Sequence, residues 1–211
     1  MKSHGANPFI LASASSRRQE LLREAGFSFE IVPSQADESL LLGEGPVEYV
    51  SRLARVKALD IGGKIQDRWV LAADTVVAIE GKILGKPAHP REAEEMLRRL
   101  SGRVHEVHTG YCLLKSDTSQ MRERVVTTKV KFKALSDSEI QWYIGKEEPL
   151  DKAGAYAIQG KAAFMVEEVH GSYTNVVGLP LCEVVEDLRA IGAADPFEQA
   201  ESVELRATDN G

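Results

Sequence analysis

The chain has little of what staples a small fold or carries one into a membrane. It has two cysteines, Cys112 and Cys182, in 211 residues. Neither belongs to a CxxC pair or has a nearby partner, and both sit among apolar neighbours, so the expectation is two buried thiols in a reducing compartment. Neither is a catalytic candidate. No apolar run approaches the ~20 residues of a membrane span. Met1 to Pro8 has no apolar core followed by a small-residue cleavage site, so no secretory signal is read there, and the expected location is the cytoplasm. Excess positive charge is missing too. Lys and Arg number 26 against 32 Asp and Glu, a formal net charge of -6, so overall electrostatics do not attract nucleic acid and any phosphate must be met by a local cluster. The common catalytic signatures are also missing. There is no GxxxxGK phosphate loop and no GxSxG elbow. His105 and His108 lack the HExxH spacing and, three apart on a strand, face opposite ways; both are read as structural or exposed.

What remains is an ordinary globular composition, 43% hydrophobic and 27% charged, in a chain long enough to bury a core without staples. The apolar pattern predicts a strand at 9–11, a helix over 17–25 closed by Gly26, and a second strand at 27–32. An acidic loop over 34–45 carries Asp37, Glu38 and Glu44. Pro46 suits the first position of a helix to about Asp60, with Val47, Val50, Leu53, Ala54 and Ala58 as its buried stripe and Lys57 near the stripe's edge. Strands follow at 69–79 and 82–84, then a helix over 90–100. A long hairpin is expected from 104–114 and 123–132, with its tip at 115–120, and a helix capped by Ser136 runs to Ile144. The Gly- and Pro-rich stretch 149–180 contains short strand-like pieces at 155–158 and 163–166. A last helix spans 181–191. Alternating helices and strands that include a hairpin argue for an α/β fold with a mixed sheet and a cleft as its natural ligand site. Residues 1–8 read as an N-terminal tail, 9–192 as one domain of two lobes, and 193–211 as a flexible tail.

Three features carry chemistry. In Phe9-Ile-Leu-Ala-Ser-Ala-Ser-Ser-Arg-Arg18, a strand ends in small residues at a helix start, where free N–H groups and the helix dipole favour an anion. Ser13, Ser15 and Ser16 add hydroxyls, and Arg17 and Arg18 add charged forks suited to phosphate. On this stretch alone the commoner arrangement is a serine cap followed by two solvent-facing arginines. Asp74 interrupts the apolar strand 69–79. A carboxylate buried there needs an ion pair, hydrogen bonds or a metal. The two-residue period places it with Ala72 and Val76, opposite Thr75, Ala73 and Val77. Lys57, Lys86 and Lys152 are the lysines that could complete a site, although each taken alone reads as a surface residue. A phosphate cradle, a buried acid and lysines suit metal-assisted phosphoryl chemistry.

These stretches resemble the Maf family of nucleoside triphosphate pyrophosphatases. The resemblance rests on Leu11 to Leu22, Ala73-Asp-Thr-Val-Val77 with Gly85-Lys-Pro87, Leu100-Ser-Gly102, Asp151 to Gly160 and Gly171 to Pro180, in the family's order. It implies an ITPase-like α/β fold, an elongated mixed sheet flanked by helices, with two lobes and a central cleft. It also implies hydrolysis of a nucleoside triphosphate to the monophosphate and diphosphate with a divalent cation, Mg²⁺ or Mn²⁺, and suggests a homodimer; the negative net charge and the lack of a long apolar run are what argue against nucleic-acid and membrane partners. By the same resemblance Asp74 is the general base and a metal ligand, Glu38 its acidic partner at the metal, and Ser13, Arg18, Lys57 and Lys86 the phosphate-binding set. Arg17, Thr75 and Gln159 match the subgroup acting on dTTP and UTP rather than the one acting on 7-methyl-GTP. Ser16 departs from the proline often found there. The family is also linked by name to inhibition of septum formation, so the alternatives are a non-catalytic nucleotide-binding regulator or a pyrophosphatase for another modified nucleotide such as 7-methyl-GTP.

Overall fold

Three long antiparallel strands organise the computed structural model, which describes residues 8–118, 120–146 and 149–197. They are β3 (Trp69–Ile79), β5 (Val104–Lys115) and β6 (Gln120–Phe132). The strand β3 is β-branched and alanine-rich throughout and is buried on both faces, as a central strand must be. One of its edges is paired with β5 from Trp69 to Ala78. The other edge is shared. At its start β1 (Phe9–Leu11) runs parallel to Val70 and Leu71, and β2 (Phe29–Ile31) continues the sheet beyond β1. At its end β4 (Lys82–Leu84) turns back against Val77 to Ile79. Between these two partners, Ala72 to Val76 face no strand. The order is β2-β1-β3-β5-β6-β7, with β7 (Val166–His170) on the far side of β6.

The alternation of β3 sends its two sets of side chains to different cores. Val70 and Ala72 join Ile10, Cys112 and Leu114 beneath α2 (Pro46–Gly62), which contributes Ala54, Ala58 and Ile61. Leu71, Ala73 and Val77 join a larger core built with α1 (Ser16–Glu24), α3 (Pro90–Leu100), α4 (Asp137–Lys146), α5 (Tyr173–Val177) and α6 (Leu181–Ala190). Gly110 lies opposite Asp74 and lets α2 approach the sheet: a Cβ there would sit 2.5 Å from the Val50 carbonyl oxygen. Only glycine fits under backbone that close.

The expected strands and helices are present up to Lys146, with small shifts at their ends. The hairpin runs further toward its tip than its polar residues suggest, because Lys115 pairs with Gln120 and cross-strand bonding overrides composition. Val47 is exposed, so the buried stripe of α2 starts at Val50. The stretch 149–180 differs more. Gly154 and Ala155 both take positive φ, 67° and 62°, which no strand accommodates, so 155–158 is not a strand. Residues 160–165 form a 3₁₀ turn and the strand begins only at Val166. The short helix α5 was not expected from its β-branched residues. It is held by Ser172 capping Asn175 and by the buried Asn175 amide, which donates to the Val107 carbonyl and to Thr128. Cys112 is buried as expected, but Cys182 is exposed in the first turn of α6. Beyond Gly192, Ala193 is buried, Asp195 pairs with Arg189 and Phe197 lies under the Arg189 guanidinium, so 193–197 pack against α6. Residues 1–7 and 198–211 lie outside the described part.

Candidate active site

The gap in the β3 edge is where the cleft opens. Ser15 caps α1 by accepting from the Arg18 N–H, so the capped helix expected from the sequence is present. Its two arginines, however, do not both face solvent. Arg18 turns inward and fills the missing edge: Nη1 donates to the Ala73 carbonyl at 2.9 Å and to Ser13 Oγ at 3.1 Å. Nε donates to the Gly178 carbonyl at 2.7 Å, and Nη2 donates to Thr75 Oγ1 at 3.0 Å. Burial is the largest influence on this guanidinium and lowers its pKa against the raising field of Asp74. Four of its five N–H groups are thus committed within the protein. As a phosphate ligand Arg18 has one Nη2 hydrogen to offer, and its main role is to hold the cleft wall. Arg17, the next residue back, is half-buried and lines the cleft itself.

On the opposite face of β3, Asp74 meets α2. Lys57 Nζ lies 2.6 Å from Asp74 Oδ1 and 2.6 Å from Glu38 Oε1, so two carboxylates converge on one ammonium. Glu38 comes from the acidic loop, and α2 straps that loop down along one face. Tyr49 Oη donates to the Glu38 carbonyl at 2.8 Å, Arg52 reaches the Ser39 carbonyl and Glu44, and Asp60 accepts from Ser34 and Gln35. Positions 49 and 52, and again 57 and 60, are three residues apart and so are neighbours on the helix surface. Burial pushes the Glu38 carboxyl up, but the hydrogen bond and charge of Lys57, backed by Lys86 and Arg18, leave it below its ordinary value. Burial, followed by the charges of Asp74 and Glu38, pushes the Tyr49 phenol up to about 12. Tyr49 therefore stays protonated as a donor. Sequence reasoning missed it; its one visible trace is its place two turns before Lys57 on the same helix face.

The far wall belongs to the segments after β4 and α4. The Gly154 N–H donates to the Gly85 carbonyl, and Gly154 lies so close to Val77 that a Cβ would meet its side chain at 3.0 Å. This contact fixes Lys86 on one side and Asp151 to Gly160 on the other. Lys86 is exposed to the cleft with no ion pair among the described residues. Lys152 pairs with Asp151 at 2.6 Å rather than with Asp74. Gln159 is exposed and lines the cleft. Thr75 has one lone pair taken by Arg18, and its hydroxyl contacts Thr109 Oγ1 at 2.9 Å and the Gly178 carbonyl at 3.3 Å. Thr109 spends its own proton on the Asn175 carbonyl, so Thr75 has its proton committed and one lone pair left for a ligand.

Together these walls enclose about 890 Å³, enough for a nucleotide-sized ligand. Ser13, Arg17, Arg18, Glu38, Lys57, Asp74, Thr75, Lys86 and Gln159 all line this one cleft. The histidines lie elsewhere: His105 Nε2 is 2.7 Å from Tyr156 Oη and His108 Nδ1 is 2.8 Å from Thr127, both rings buried in the sheet. Among the described residues no three His, Cys, Asp or Glu side chains gather as a metal cage. The two oxygens that meet on Lys57 are nevertheless hard donors around a cation. They fit Mg²⁺ or Mn²⁺, which uses one or two carboxylates and takes its other ligands from water and phosphate.

The description "Maf-like protein" matches residues 8–191, nearly the whole described chain. This chain belongs to the Maf family. Among its relatives, a Geobacter sulfurreducens protein named dTTP/UTP pyrophosphatase is 53% identical over 184 residues, 87% of this chain and 96% of that one. A Syntrophus aciditrophicus protein of the same name is 52% identical, covering 87% and 90%. The Staphylococcus aureus Ham1 protein superposes with a TM-score of 0.41 at 11% identity over 59% of this chain and 71% of that one; so loose a match decides nothing about fold. The fold of this chain is the seven-stranded mixed sheet between helices described above. No helix among the described residues is long and apolar enough to cross a membrane.

Proposed function

We propose that this protein hydrolyses dTTP and UTP to the nucleoside monophosphate and diphosphate. The observation that carries the reading is convergence. Arg17, Thr75 and Gln159, from three separate segments, line the cleft that also holds Asp74, Glu38, Lys57 and Lys86, in a chain about half identical to proteins of that name.

The triphosphate lies along the cationic side of the cleft. Ser13 Oγ already accepts from Arg18 and from the Ser15 N–H, so its own proton is directed to a phosphate oxygen. Lys86, Lys57 and the last Arg18 N–H supply further donors, and these cations stabilise the charge gathering on the leaving diphosphate. Asp74 Oδ2 takes no hydrogen bond among the described residues and is the oxygen placed to receive a proton. Water attacks the α-phosphorus, its proton passes to Asp74, and the bond from the α-phosphorus to the bridging oxygen breaks toward diphosphate. A divalent cation held by Asp74 and Glu38 would neutralise the triphosphate where it approaches two carboxylates.

The base is read on the other side. The free lone pair of Thr75 matches an N–H donor, and the Gln159 amide both donates and accepts. Uracil and thymine carry an imide N–H between two carbonyls, whereas cytosine has an unprotonated ring nitrogen at that position. A diphosphate-release panel over dTTP, UTP, dCTP, ITP and 7-methyl-GTP with Mg²⁺ and Mn²⁺ tests the proposal. The highest kcat/KM is expected for dTTP and UTP. Faster turnover of ITP or 7-methyl-GTP would sink the specificity, and turnover of none would sink the activity.

A further inference from the structure

Among the described residues Lys57 is the one buried cation whose partners are both carboxylates. Its Nζ is 2.6 Å from Asp74 Oδ1 and 2.6 Å from Glu38 Oε1, with its side chain 10% exposed. Two like charges this close repel unless something positive lies between them, and here the lysine does so. A divalent cation needs the same two oxygens at about 2.0–2.1 Å if it is Mg²⁺, a small contraction from the present distances. It cannot share the spot with an ammonium. A lysine and a divalent ion within a few ångströms, in a partly desolvated cleft, repel by far more than thermal energy.

We infer that Lys57 is a resident counter-cation that must leave Asp74 and Glu38 before a divalent metal binds, so that the nucleotide-free protein binds metal weakly and takes it up together with the triphosphate. The inference rests on the pyrophosphatase reading, because only a polyanion in the cleft gives the displaced ammonium a new partner. The side chain suits the exchange. Lysine is a point charge on a flexible four-carbon stem, whereas the planar fork of an arginine would be held by its geometry. The destination is already marked by cationic Lys86, the Ser13 hydroxyl and the remaining Arg18 N–H on the same cleft. Metal and lysine then alternate: the acids hold the lysine when the cleft is empty of nucleotide, and they hold the metal once the phosphates have drawn the lysine away. A lysine that only bound phosphate would leave metal binding without nucleotide unchanged on removal.

The test is Mn²⁺ binding to the nucleotide-free protein, followed by the electron paramagnetic resonance signal of free Mn²⁺. Lys57→Met, which frees both carboxylates, is expected to bind Mn²⁺ at least about tenfold more tightly than the unaltered protein, the effect of removing one nearby unit charge. Lys57→Arg keeps the charge and is expected to show no gain. If Lys57→Met binds Mn²⁺ no more tightly than the unaltered protein, the inference is wrong. Because Lys57→Met leaves two unpaired acids and could fail to fold, a second measurement uses the unaltered protein. Its thermal midpoint is followed with Mn²⁺ alone, with an α,β-methylene dUTP analogue alone, and with both. A rise confined to the combination is expected, and an equal rise with Mn²⁺ alone overturns the exchange. Neither measurement needs turnover, so the inference can fail while the nucleotide panel succeeds, and the reverse.

Discussion

Arg18 and Lys57 are both buried cations, and they lie on opposite sides of one strand. Arg18 is held by two backbone carbonyls and two hydroxyls, all neutral. Lys57 is held by two carboxylates, both charged. A neutral, multidentate nest fixes its occupant, because each lost bond strands a buried acceptor. A charged pair can be satisfied by another cation. One side of β3 is therefore built as fixed structure, the other as an exchange site, and the difference can be attacked from either side.

The largest expected effect is on the exchange side. Asp74→Asn removes the proton acceptor and should lower kcat for dTTP by about 10²–10⁴-fold with little loss of stability, read by initial rates alongside a denaturant melt; a folded protein with near-normal turnover would refute the assignment. Next comes the fixed side. Arg18→Met leaves the Ala73 and Gly178 carbonyls without their donor and should cost about 1–3 kcal/mol for each stranded acceptor in urea unfolding. If it costs less than Lys57→Met, the distinction between the two cations collapses. Gly110→Ala should cost about 1–3 kcal/mol by overpacking, since the new methyl meets the Val50 backbone and no rotamer relieves it.

A pH effect sharpens the fixed side further. Burial lowers the His105 pKa to about 4 from 6.5. Because the folded value lies below the unfolded one, the unfolded chain binds the extra proton between these limits. Stability is then fully present above pH 6.5 and declines as pH falls toward 4, by about 1.4 kcal/mol per pH unit for this group. Urea midpoints should follow that slope, and His105→Gln should flatten it. The smallest effect belongs to the strap. Tyr49→Phe loses one hydrogen bond to the Glu38 carbonyl, worth about 1 kcal/mol. It should raise the Mn²⁺ concentration needed for half-maximal rate more than it lowers maximal kcat, whereas a purely structural loss would move the melt alone.

Much of this was legible in the residues, for reasons that differ by region. Strand β3, helix α3 and the β3–β4 turn were bounded correctly because apolar period, proline and glycine agreed there. The facing of Asp74 and Thr75 followed from the two-residue alternation alone. Arg18 is harder to read: the sequence shows two adjacent arginines but not that five residues of a strand have no partner along one edge. Tyr49 escaped notice because its role is a bond to a loop carbonyl, which leaves no mark in composition. The stretch 149–180 departs from its local pattern where tertiary contacts set the backbone, as at Gly154 against Val77 and Asn175 against Val107. Cys182 is exposed despite its apolar neighbours in the sequence because those neighbours need not share its helix face.

The interrupted edge of β3 has a consequence beyond the cleft. A row of unpaired backbone groups in a β-rich strand is a template onto which an extended chain can add, including another copy of the same protein. By donating to the Ala73 carbonyl, Arg18 makes the bond an incoming strand would need at the middle of that row. A strand pairing there would first have to break that bond.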